Sequence, residues 1–225
     1  MHEESWVYLS HVMAPNTPGY GGSTPLNVMP TKSIEAGDSC NEGAVCFPLH
    51  LGTHVDAPRH FDDHGLSIEK FEASMWHVTR AHLVDVPTGP RGVVDLDRFQ
   101  GRHHLIPEDC ELLLIRTGSE SDRDVEPDTY SCEGPCIGDD VARWIRESRQ
   151  LKFVGIDAIS VSSQANREIG RRTHRELLLR SGRPPVLVIE DMHLSELRQN
   201  PAEVWILPMR VEEADGAPVT VVARV

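Results

Sequence analysis

The stretch "HLGTHVDAPRHF", His50 to Phe61, decides how the chain is read. His50, His54, Asp56 and His60 fall within eleven residues. A helix is disfavoured there, because Gly52, Thr53, Val55 and Pro58 all lower helix propensity. Extended chain suits the pattern better. The four positions share one parity, so a strand would send all four side chains to one side. Ten residues of straight strand would span roughly 33 Å at about 3.3 Å each, whereas one cation gathers its ligands at ~2 Å. The chain is therefore expected to bend at Gly52 and again at Pro58, while His54 and Asp56 stay close in any extended form. Neutral imidazole and carboxylate together suit zinc, manganese or a similar divalent ion.

One stretch rarely completes a site, so distant partners are needed. His174 sits in "RRTHRELLLRSG" (171–182), which reads as a helix closed by Gly182. Glu190 ends the apolar run "VLVIE", where a buried carboxylate is costly without a cation. Each has a plain alternative, His174 facing solvent and Glu190 merely opening a loop.

The rest of the chain reads as one α/β domain over residues 1–225. Short runs rich in Val, Ile and Leu at 80–86, 110–118, 151–161 and 184–192 have the length of buried strands. "AVCFPLHLGTHVDA" (44–57) reads as a further buried strand interrupted by Gly52. "GDDVARWIRES" (138–148) has helical spacing, with Asp139 or Asp140 placed to cap it. "EVWILPMRVEEADGAPVTVVARV" (203–225) reads as two strands around an "ADGAP" turn. Residues 13–31, rich in Pro, Gly, Thr and Asn, read as loop. Strands outnumber helices and alternate with them in the second half, which indicates a mixed sheet or barrel-like core.

Composition narrows the function classes. Of 225 residues, 39% are hydrophobic and 25% charged, as in a globular protein. The net charge of −13 argues against a nucleic-acid partner, whose phosphates need a basic surface. No run of eighteen apolar residues offers a membrane span. "MHEESWVYLS" lacks the basic start and apolar core of a signal peptide, so a cytoplasmic location is expected. The five cysteines do not form a disulfide framework. "CEGPC" (Cys132–Cys136) has no second cysteine pair to complete a zinc site, so ordinary thiols are expected.

With these residues in view, the chain resembles the cyclase-like metal-dependent hydrolases, a family that includes bacterial kynurenine formamidase and isatin hydrolase. "HLGTHVDAPRHF" resembles the family signature HxGTHxDxPxHF. "YLSHVMAPNTPGYGG" is similar to its opening segment, "LLLIRTG" to its Arg-Thr strand and "FVGIDAISV" to its Gly-Ile-Asp strand. "HRELL" and "VIEDM" resemble its His and Glu motifs, and "LPMRVEEADGAPV" its C-terminal hairpin. Leu51, Gly21 and Ser162 stand where the family usually has threonine, proline and aspartate.

The resemblance implies an α/β swivelling-type domain with metal ligands at His50, His54, Asp56, His174 and Glu190. Asp56 and Glu190 are placed to bridge two ions, zinc first and manganese second. His60 falls at the family's catalytic acid/base, and Tyr20 near its substrate-facing aromatic. The expected activity is hydrolysis of an amide, formamide or lactam C–N bond in a small molecule by metal-activated water. General acid–base help from His60 is worth typically ~10²–10⁴-fold. Lactone hydrolysis, a cyclase or dehydratase reaction, and a non-catalytic metal-binding protein are the alternatives. A homodimer or homotetramer is the assembly implied.

Overall fold

The computed structural model describes residues 5–22, 26–99, 101–148 and 151–225. Residues 1–4 of the opening stretch and 23–25 of the expected loop lie outside them. Thirteen strands are present among the described residues: β1 (Trp6–Tyr8), β2 (Asn27–Lys32), β3 (Glu42–Cys46), β4 (His54–Asp56), β5 (His77–Val78), β6 (Ala81–Asp85), β7 (Val93–Val94), β8 (Leu112–Arg116), β9 (Cys136–Ile137), β10 (Phe153–Ile156), β11 (Leu187–Glu190), β12 (Glu203–Pro208) and β13 (Gly216–Arg224). Three α-helices accompany them: α1 (Pro127–Glu133), α2 (Asp139–Ser148) and α3 (Arg167–Leu179).

Nine strands form one mixed, barrel-like sheet in the order β5-β12-β13-β4-β11-β10-β8-β6, with β1 also on β13. The four apolar runs expected to be strands became β6, β8, β10 and β11, which lie side by side and parallel. Every residue of β10 and β11 is buried, as is β8 up to Arg116. That is why these segments read as continuous apolar runs rather than alternating ones. Helix α3 packs on β11 and against α2, burying Leu177 and Leu178, while α2 buries Val141, Ala142 and Ile145. No helix among the described residues is long and apolar enough to cross a membrane.

The short strand β4 positions the site. It pairs antiparallel with β11 on one side and with β13 on the other, so Glu190 lies opposite His54, and both Val188 and Gly216 lie opposite Asp56. Val55 and Ala57, of the other parity, are fully buried in the core.

Several expectations are corrected. The loop expected over 13–31 ends early, because β2 starts at Asn27 and pairs with β3 in a separate exposed hairpin. Residues 44–46 belong to that hairpin, so the single buried strand expected over 44–57 is two strands on different sheets. Backbone pairing holds this ribbon without apolar alternation, so composition alone could not reveal it. The second helix is Arg167–Leu179 rather than 171–182, since a 3-10 turn over Gln164–Asn166 leads directly into it. Gly216 to Pro218 of "ADGAP" already pair with β4, so the chain reverses over 209–215 instead. Asp139 and Asp140 lie inside the first turn of α2 rather than before it.

Candidate metal centre and active-site cavity

The chain bends where glycine and proline permit it. Gly52 has a positive φ of 70°, a conformation that favours glycine. Pro58 opens a 3-10 turn over Pro58–His60. These two bends bring His50 and His60 back to the ends of β4, with their rings 4.0 Å apart between centroids.

Five of the expected side chains converge. The Nε2 of His54 lies 3.3 Å from Glu190 Oε2 and 3.5 Å from Asp56 Oδ1. The Nε2 of His174 lies 3.3 Å from Glu190 Oε1 and 3.4 Å from Asp56 Oδ2. His50 Nδ1 lies 2.8 Å from Asp56 Oδ1. Asp56 thus belongs to two overlapping ligand groups, one with His50 and His54, the other with His174 and Glu190. His54, Asp56, His174 and Glu190 are all buried.

Ring orientation follows from the neighbours. Nδ1 of His54 donates to the Gly52 carbonyl at 2.8 Å, and Nδ1 of His174 donates to the Gly170 carbonyl at 2.8 Å. A carbonyl only accepts, so a proton sits on Nδ1 and Nε2 faces the carboxylates, where it carries either a proton that it donates to them or a lone pair for a metal ion. Glu190 Oε1 accepts from Ser160 Oγ and from the Val161 amide, which fixes the carboxylate.

The electrostatics are those of a cation site. Burial pulls the imidazoles down, but Asp56 and Asp215 overcome it and raise His50 to about 10. Hydrogen bonds to Asp56 and Glu190 likewise outweigh burial and raise His174 to about 10. His54 is raised against burial by Glu190 and Asp56. Burial and the Asp56 charge push Glu190 up, but the hydrogen bonds of His174 and His54 hold it at about 2. Asp56 is held well below the usual carboxylate range, chiefly by His50 acting against burial. Two buried carboxylates paired with imidazoles create a demand for positive charge that either protons or a metal ion can meet.

The donor set fits a divalent ion on chemical grounds. His50, His54 and His174 supply neutral nitrogen and Asp56 and Glu190 supply carboxylate oxygen, the mixture that suits zinc or manganese.

His60 stands apart from that set. Its Nδ1 lies 2.8 Å from Asp215 Oδ2, which also meets His50 Nε2 at 2.9 Å. Hydrogen bonds from His50 and His60 hold Asp215 well below the usual carboxylate range. Tyr20, His50, His54, His60, Phe61, His174 and Glu190 line a cavity of about 530 Å³. Phe61 stacks on His174 at 4.8 Å, and the Tyr20 hydroxyl lies 3.4 Å from Ser162 Oγ.

Sequence reading missed Asp215, Ser160 and two arginines. Asp215 was absorbed into a supposed turn, and only the register of β13 on β4 brings it to the histidines. Arg167 and Arg171 border the cavity one helical turn apart on α3. Their signal was faint but present: a cation at a helix N-terminus opposes the helix dipole. Tyr130 of "TYSCEGPCIG" is buried and donates to Asp191, which also takes a two-pronged bond from Arg123. That segment is a brace behind Glu190, and Cys132 and Cys136 within it are free thiols.

Known proteins resemble the chain over nearly its whole length. A family model described as putative cyclase matches residues 7–163. The kynurenine formamidase of Bacillus thuringiensis (strain Al Hakam) is 28% identical over 225 residues, covering 100% of this chain and 99% of that protein. Isatin hydrolase A from Ralstonia solanacearum superposes with a TM-score of 0.79 at 19% identity, covering 99% of this chain and 92% of that one. A predicted metal-dependent hydrolase from Bacillus stearothermophilus gives a TM-score of 0.75 at 19% identity, covering 98% of each chain.

Proposed function

The chain belongs to the putative cyclase family, and on that premise we propose that it is a metal-dependent hydrolase of an amide, formamide or lactam C–N bond in a small molecule. The observation that carries the reading is the pair Asp56 and Glu190, buried and faced by the Nε2 atoms of His54 and His174.

His50, His54, Asp56, His174 and Glu190 would hold one or two zinc ions, with manganese the second choice. Such an ion supplies Lewis acidity and lowers the pKa of a coordinated water toward about 7. The remaining chemistry belongs to the chain. Asp215 accepts the Nδ1 proton of His60 and fixes that ring, leaving Nε2 to take a proton from the attacking water. The same nitrogen returns the proton to the departing amine, which is a poor leaving group without it. Tyr20 and Phe61 give the cavity walls that suit a planar or aromatic substrate. Arg167 and Arg171 at its border favour a substrate with an anionic group away from the scissile bond. A pure binding site has no use for the His60–Asp215 pair, which weighs against a non-catalytic role.

The reading extends to a cytoplasmic homodimer or homotetramer. The five free cysteines suit a reducing compartment. The β2–β3 hairpin exposes Val28 and Val45 beside Leu207 and Met209, an apolar face that suits a second copy.

The test is turnover of N-formylkynurenine, isatin and simple aryl lactones by zinc- or manganese-loaded protein. The expected result is hydrolysis of a formamide or lactam, lost on chelation and restored by metal. Metal bound in full with no turnover of any amide or ester would overturn the enzyme reading.

A further inference from the structure

A second group of metal-type donors lies away from the cavity. His11 follows β1, Glu120 follows β8 and His193 follows β11. One donor atom from each lies within 4.8 Å of the other two. His193 Nδ1 bonds Glu120 Oε1 directly, His11 Nε2 lies 4.0 Å from the same oxygen, and the two rings are 5.0 Å apart between centroids.

Their place in the sheet separates them from the first site. Thr53 precedes His54 in the chain, so the two side chains leave opposite faces. The Thr53 hydroxyl accepts from the His11 amide and donates to the Asp191 carbonyl, which anchors the second group on the far face. His11 and His193 accordingly line a separate groove of about 910 Å³.

The group is also built, not adventitious. Glu120 Oε2 accepts from the amides of Leu194 and Ser195 at 2.8 Å each, and Oε1 accepts from Ser195 Oγ at 2.9 Å. That orients the carboxylate and leaves Oε1 facing both imidazoles. The His193 amide is pinned to the Leu9 carbonyl at 3.0 Å. Meanwhile His11 Nε2 is buried and has no hydrogen-bond partner among the described residues. An orphaned buried polar atom costs ~1–3 kcal/mol. At 4.0 Å from Glu120 Oε1 the gap is too long for a hydrogen bond. It suits a shared ion, because ligand atoms each ~2 Å from one centre sit ~3–4 Å apart.

We propose that His11, Glu120 and His193 form a second divalent-cation site, selective for zinc-like ions and separate from the catalytic centre. Two imidazoles and one carboxylate favour a borderline ion over calcium or magnesium, which prefer all-oxygen shells. The ion takes the place of the His193–Glu120 hydrogen bond and engages the unused His11 nitrogen. The site would tie the segment after β1 to the ends of β8 and β11, three residues beyond Glu190.

Zinc is the probe, and the readouts do not depend on catalysis. Chelated protein reloaded in micromolar free zinc is measured by elemental analysis for the wild type, His193→Gln and His11→Gln. Each variant is expected to hold one equivalent per chain less than the wild type. Zinc-edge anomalous scattering from zinc-loaded wild-type crystals is expected to give a peak among His11, Glu120 and His193, and this arm needs no variant to fold. Equal zinc content in wild type and variants, or no peak at the cluster, would overturn the proposal. Neither result bears on the hydrolase reading, which rests on the other face of β4.

Discussion

Gly216→Ala tests whether the cradle around His50 is what sets metal affinity. Gly216 pairs with Asp56 across β4 and β13, and the His50 ring lies over it. A Cβ at position 216 would fall 2.4 Å from His50 Cε1, 2.9 Å from Nδ1 and 3.0 Å from Nε2, where ordinary contact begins at 3.4 Å. The backbone there is not in the left-handed region, so alanine brings a steric cost alone. The ring must retreat by about 1 Å, a shift the steep repulsive wall leaves no way to avoid. It has little room, because Asp56 and Asp215 hold its two nitrogens and His60 packs on its face. Overpacking of this kind costs ~1–3 kcal/mol, and disturbing a ligand's setting typically weakens metal binding ~10–100-fold. Competition against a chromophoric chelator gives the affinity, and urea unfolding of the metal-free protein gives the stability. Wild-type affinity together with wild-type stability in Gly216→Ala would refute both the cradle and the place of His50 in it.

Four further outcomes are expected. His60→Gln should keep its metal by elemental analysis yet lose turnover by ~10² or more; loss of metal would instead make His60 a ligand. Asp215→Asn removes the charge that fixes His60, so kcat should fall ~10–100-fold with the fold intact, and an unchanged kcat would end the positioning argument. Arg167→Gln and Arg171→Gln should raise KM for a carboxylate-bearing formamide while leaving a neutral one such as formanilide unaffected; an equal change for both would place the arginines outside substrate recognition. In the metal-free protein His50 and His174 are raised from 6.5 to about 10, so their stabilisation is complete below pH 6.5 and lost as pH rises through about 10. The metal-free melting temperature should therefore fall across that window, more steeply than that of the zinc-loaded protein, and parallel curves would contradict the exchange of protons for metal.

The sequence showed the parts of the site whose constraint is local. His54 and Asp56 sit two residues apart on one strand, so their shared face follows from the pleat alone. Gly52 and Pro58 announced the bends because each residue type has a conformational consequence of its own. Asp215 carried no such mark. Its meeting with His50 and His60 depends on β13 lying beside β4, across 165 and 155 residues of chain. The β2–β3 hairpin was equally hidden, since its residues are mostly exposed and bury no apolar stripe that periodicity could detect. Arg167 lies outside the helix expected from 171, because the true helix begins four residues earlier, and Arg171 at that expected start has no local feature beyond that position to tell it from a solvated helix arginine.

The chemistry of the site is held in register by residues that perform none. A one-residue slip of β4 would turn His54 and Asp56 to the far face and bring Thr53 and Val55 into the cavity. Hydrogen bonding cannot forbid that slip, because a shifted ladder makes nearly as many backbone bonds. Apolar burial can. Val55 and Ala57 are fully buried on the face opposite the ligands, between β11 and β13. Exposing a valine side chain alone costs ~1.5–3 kcal/mol, and the slipped strand would also bury His54 and Asp56 in an apolar core without partners. Both penalties fall on the same wrong register. The alternation of Thr53, Val55 and Ala57 with His54 and Asp56 therefore does two things at once. The odd positions choose the register, and that register sets Glu190 beside His54 and Gly216, with Asp215 next to it, beside Asp56.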